Sequence, residues 1–131
     1  MANGVAILVY ETDVPISFTV ADALAVEKGD VLRLATPDTA EMSSANNDLF
    51  CGIAAEEKIA LDGKTKIAVY RGGIFRVESG TTGCTVGKTA TIEAKNEFTD
   101  GAATDAENGI VFGHFLETGT DGQFVLMELG R

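Results

Sequence analysis

Tryptophan is absent from this 131-residue chain, histidine occurs once, and proline and cysteine occur twice each. Scarcity of cysteine removes the disulfide framework on which small secreted domains rely. The 32 residues between Cys51 and Cys84 match no metal-ligand spacing, so two free thiols are expected, with Cys51 buried at an apolar strand start. Positive charge is equally sparse. Lys and Arg number 10 against 20 Asp and Glu, a net charge of -10. Phosphate backbones and anionic membranes both demand a basic footprint, which argues against nucleic acid or membrane as the main partner. The acidity instead favours solubility at high concentration. Long apolar runs are missing too. Residues 5–9 (VAILV) are far too few to span a bilayer, and the Met1-Ala2-Asn3 start shows no signal-peptide pattern. The expected place of synthesis is a reducing cytoplasm.

What is present is an ordinary globular composition, 45% hydrophobic and 23% charged. One domain fits this length better than two. At 13.7 kDa, size scaling predicts a folded surface of about 6,600 Å² against about 20,000 Å² for the unfolded chain. Glycine is the outlier, with 15 residues against an average of about 7%. Spaced singly between short apolar runs, the glycines read as turn punctuation in a β protein.

The chain alternates short β-prone runs and breaks. Residues 5–10 are apolar; Glu11-Thr12-Asp13 and Pro15 interrupt; Ile16, Phe18 and Val20 then alternate with Ser17 and Thr19 as in a half-buried strand. Residues 21–26 are ambiguous, with alanines that suit a helical turn in a stretch short for one; residues 31–34 read as a strand and residues 36–47 as a polar loop. Residues 50–55 form an apolar strand before the Leu61-Asp62-Gly63-Lys64 turn. Around Gly72-Gly73, two β-prone runs read as a tight hairpin or as one kinked strand. Residues 87–94 alternate, residues 96–108 read as a polar loop or helical turn, and residues 110–116 and 124–129 flank a hairpin turn. The total is seven or eight strands in an all-β sandwich or partly open barrel. No internal repeat is visible.

Chemical motifs are weak. Gly87-Lys88-Thr89 imitates the end of a phosphate-binding loop, but Thr82 stands where its first glycine belongs and a strand pattern follows in place of a helix. Tyr70-Arg71-Gly72 resembles the deoxyuridine triphosphatases, yet Ile67 occupies the place of their water-activating aspartate. His114 has no accompanying nucleophile, so it is expected as a packed or interface side chain. Asp100, Asp105 and Glu107 do not fit a calcium-loop template. No catalytic residue, cofactor or metal site is predicted.

Residues 50–78 carry a family resemblance. Cys51-Gly52-Ile53-Ala54-Ala55, the turn at residues 63–65, and the run from Ile67 through Tyr70-Arg71-Gly72-Gly73-Ile74-Phe75-Arg76-Val77 are together similar to the capsid-decoration (head-stabilising, cement) proteins of tailed bacteriophages, including the lambda type. The resemblance implies a small β-rich homotrimer on the outer surface of the virion's expanded shell, fastening neighbouring copies of the major capsid protein. Residues 1–20 are then an N-terminal arm or the first strands, and residues 21–131 the decoration domain. Val5, Ile7, Val9, Tyr10, Ile16 and Phe18 are the candidate capsid contacts, as β-prone positions able to pair with a sheet edge on the shell. The alternative for residues 5–18 is an ordinary first strand of the domain. Other functional classes are a fibre or tail-tube component and, further off, a trimeric β-fold nucleotide hydrolase.

Overall fold

The computed structural model describes residues 5–11, 14–36, 39–45, 48–101 and 113–129. These residues hold eleven strands and no helix. The strands are β1 (Ile7–Tyr10), β2 (Ile16–Thr19), β3 (Val31–Thr36), β4 (Thr39–Met42), β5 (Phe50–Ala54) and β6 (Lys66–Tyr70), then β7 (Gly73–Ser79), β8 (Thr89–Ala94), β9 (Glu97–Asp100), β10 (Gly113–Phe115) and β11 (Phe124–Leu129).

They close into two barrels. The first runs β2-β4-β3-β5-β6 and back to β2. In the second, the order β7-β11-β10-β8-β9 is closed by a parallel β7–β9 pairing, and β1 is added alongside β7. Barrel closure removes the exposed edges that an open sheet would present.

The two barrels are copies of one plan. Replacing β2, β3, β4, β5 and β6 by β7, β8, β9, β10 and β11 reproduces every pairing, including the single parallel one in each barrel. Even a bulge repeats, between Leu34 and Thr36 in β3 and between Ile92 and Ala94 in β8. The correspondence reaches single hydrogen bonds. The Gly29 amide donates to the Ala54 carbonyl as Gly87 does to Phe115, both at 2.8 Å. The isolated bridge Val26–Lys58 has its counterpart in Cys84–Gly119. The chain therefore does contain an internal repeat, in structure, where the sequence shows none.

Few side chains survive in both copies, and those that do govern the backbone. Gly29 and Gly87 hold positive φ, +95° and +81°, one residue before the lead-in to β3 and β8, a conformation that a Cβ disfavours. At Gly52 and Gly113 a Cβ would overlap the carbonyl of Tyr70 or Glu128 across the ladder. Glu56 accepts the Ala68 amide at 2.7 Å, and Glu117 accepts the Leu126 amide at 3.1 Å. Asp62-Gly63 and Asp121-Gly122 form the turns before β6 and β11.

Two apolar clusters result. One fills the first barrel with Phe18, Val20, Leu32, Cys51, Ile67 and Val69 among others. The other fills the second barrel and also takes in Val31, Phe50, Ile53 and Tyr70, which face outward from the first. Tyr70 packs edge-on against Phe75 at 5.5 Å and Phe50 against Phe98 at 6.4 Å. A buried polar network crosses the same seam. Asn96 donates to Asp30 (3.0 Å) and accepts the Val31 amide (2.7 Å), while its own amide donates to Ser43 (2.9 Å). Burial of these groups is tolerable because they satisfy one another.

The all-β expectation holds, with three corrections. The supposed loop at residues 36–47 contains β4, and residues 96–108 begin with β9, which raises the strand count. Residues 21–26 form turns and a bridge, not a helical turn. Gly72-Gly73 is neither hairpin nor kink: β6 and β7 lie in different barrels, and Arg71-Gly72 is the link between them.

Candidate interaction surface

The described residues contain no cluster of three or more His, Cys, Asp or Glu able to hold a metal. Gly87 and Lys88 make a turn and β8 begins at Thr89, so the Gly-Lys-Thr segment is a strand start. Ile67 lies in the first barrel's core. His114 stands half-buried in β10, opposite Glu128 on one side and Thr89 on the other. Asp100 is engaged by the Thr85 amide at 2.8 Å; Asp105 and Glu107 lie outside the described residues. Cys51 and Cys84 are free and buried in separate clusters, and burial pushes each thiol up to about 11, which keeps them protonated and unreactive. A cleft of about 720 Å³ between Val86, Glu117, Thr118, Gln123 and Phe124 is open to solvent and brings together no nucleophile with a base.

The exposed apolar residues gather instead near the start of the chain. β1 pairs antiparallel with β7, Ile7 opposite Arg76 and Leu8 opposite Phe75, and its register slips between Leu8 and Tyr10. All four β1 side chains are exposed, up to 55% at Ile7 and 65% at Tyr10. Apolar side chains on both faces of an edge strand, with no second strand beyond it among the described residues, form a template for pairing. Val14 (82% exposed) and Ile16 (50%) extend the apolar surface towards β2.

The candidate contacts thus fall into three environments. Ile7, Val9, Tyr10 and Ile16 are exposed; Val5 is half-buried beside Gly29; Phe18 is in the first barrel's core with the Arg71 guanidinium 5.9 Å over its ring. Leu8 belongs with the exposed group although the sequence did not single it out. Both faces of β1 are open, so the alternation rule does not select among its residues.

Ionic contacts elsewhere are structural. Lys58 is buried, donates to the Asp22 and Ile59 carbonyls at 2.6 and 3.1 Å and reaches Asp62 at 3.1 Å, tying the loop before β6 to the one after β2. Glu56 receives Lys64 and the Ala68 amide, and these bonds hold its carboxyl below the usual value.

No family model and no curated protein matches the chain. Among solved structures, it is similar to the crystal structure of the head fiber gp8.5 N base in bacteriophage phi29, at 16% identity and a TM-score of 0.57, covering 88% of this chain and 92% of that one. The likeness is to a head-fibre base, and it does not bear on the lambda-type decoration proteins named by the sequence resemblance. What the two chains share is the fold, over nearly the whole length of both.

Proposed function

We propose that this protein is a non-catalytic structural component of a tailed-phage head, carried on the outer surface of the expanded shell. The observation that carries this reading is the end-to-end fold similarity to a phage head-fibre base. The described residues hold no metal-binding cluster of His, Cys, Asp or Glu, which is compatible with it. In this reading the protein binds as a homotrimer and clamps neighbouring subunits of the major capsid protein. Clamping requires complementary area repeated by symmetry and no chemistry. The β1 edge supplies the contact: Ile7, Val9 and Tyr10 give apolar area, and the free backbone edge offers hydrogen bonds to a strand of the shell.

Co-sedimentation with purified expanded heads of a phage encoding the chain tests the proposal. Saturable binding to expanded heads is expected. Failure to bind them, or a turnover detected on nucleotides, esters or glycosides, would refute it.

A further inference from the structure

The seam between the two barrels is asymmetric, and each half of it has a structural counterpart at an end of the molecule. On the first barrel's side the seam is made by the outward residues Val31, Ile53 and Tyr70 and by the Gly29 turn, whose carbonyl accepts the Ala6 amide at 2.8 Å. Structural equivalence places Thr89, His114 and Glu128 at the corresponding positions of the second barrel, with Gly87 for Gly29. There the turn is open among the described residues. A Cβ at Gly29 would overlap the Ala6 carbonyl, whereas one at Gly87 would meet nothing within 4 Å. Val86 and Leu116 expose apolar area at the same end.

The other half of the seam is Gly73 and Phe75 at the mouth of the second barrel, where Tyr70 packs on the Phe75 ring. Register places Val14 and Ile16 at the equivalent mouth of the first barrel. Phe75 is 1% exposed and Ile16 is 50% exposed. The difference is that nothing among the described residues plugs the first barrel as Tyr70 plugs the second.

We infer that a second copy of this chain continues the seam head to tail, the Leu116–His114 end of one copy seating on the Val14–Ile16 mouth of the next. Such a contact is heterologous, and a heterologous contact closes into a ring when its rotation permits. This inference rests on the trimer in the proposed function and names its surfaces: three chains would make a ring of six equivalent barrels. The composition of the two seams differs as their roles require. Val31, Ile53 and Tyr70 are apolar and covered within the chain, whereas Thr89, His114 and Glu128 are polar and half-buried.

Mixing two blocked variants tests it. Ile16→Glu blocks one end and Leu116→Glu the other; Val14→Glu replaces the first should Ile16→Glu fail to fold, as judged by circular dichroism. Light scattering at tens of micromolar should give about three times 13.7 kDa for the wild type and for the exposed-site control Ile59→Glu. Each blocked variant alone should fall about threefold, to the monomer mass. Mixed in equal amounts they retain one intact contact and should give a dimer that grows no further. A trimer persisting in either blocked variant would overturn the head-to-tail surfaces while leaving the trimer standing. A monomeric wild type would overturn both. Blocked variants that stay monomeric on mixing would overturn the heterologous pairing.

Discussion

Individual residues show why the repeat is invisible in the chain and plain in the fold. What the two barrels share is Gly29 with Gly87, Gly52 with Gly113, Glu56 with Glu117, and Asp62-Gly63 with Asp121-Gly122. Each is held by backbone geometry: a positive φ, a carbonyl too close for a Cβ, an amide needing an acceptor. Core positions instead drifted within the apolar class or beyond it, as Leu32 against Ala90 and Tyr70 against Glu128. A sequence reading can see each glycine as turn punctuation, but it cannot see that two glycines do the same task. Gly52→Ala and Gly113→Ala should therefore both destabilise, each by about 1–3 kcal/mol as for overpacked sites, read from urea denaturation midpoints. A neutral Gly113→Ala would contradict the equivalence. The thiols offer a second check at this scale. With burial raising both to about 11, iodoacetamide at pH 8 should modify neither in the folded protein and both after unfolding. Rapid alkylation of native Cys51 or Cys84 would show that the cores are open.

At the scale of elements, the strands that the sequence revealed carry their own β-prone run or alternation: β1 to β3, β5 to β8, β10 and β11. β4 (TAEM) and β9 (EFTD) carry no such pattern. Each pairs along its length with the strand just before it, β3 or β8, and ring closure adds a parallel partner, β2 or β7, so it is held by its partners and not by a pattern of its own. β9 pays for that position in charge. Burial raises the Glu97 carboxyl above its ordinary 4.5, with Glu78, Glu93 and Asp121 adding to the effect. A raised folded value means that the ionised form costs stability at neutral pH, a cost relieved as pH falls through that value towards 4.5. Glu97→Gln should raise the melting temperature at pH 7, by the equivalent of less than about 1 kcal/mol for a partly exposed group, and the gain should fade on acidification. An undiminished gain at pH 4 would rule out the electrostatic cause. The β1 edge was legible as β-prone and not as exposed on both faces. Ile7→Lys with Val9→Lys should leave stability within about 1 kcal/mol, as surface changes do, while lowering affinity for expanded heads at least tenfold in co-sedimentation. Unchanged affinity would place the shell contact elsewhere.

For the whole molecule, duplication supplies an economical account of its form. One small closed barrel of about 55 residues would bury too little apolar surface to be comfortably stable, in the size range where single cores are marginal. Two copies share a seam in which Val31, Phe50, Ile53 and Tyr70 join the second barrel's core. The result is a two-barrel body in a chain with a net charge of -10, whose described residues hold no metal-binding cluster of His, Cys, Asp or Glu. Its apolar edge is concentrated at β1 and the first barrel's mouth. Such a body suits a role on a phage head, where shape and repeated contact do the work. Electron cryomicroscopy of expanded heads saturated with the protein tests that role most directly. The account predicts ordered two-barrel density on the outer surface, with β1 turned towards the shell. Bare heads, or two-barrel density with β1 turned away from the shell, would contradict it.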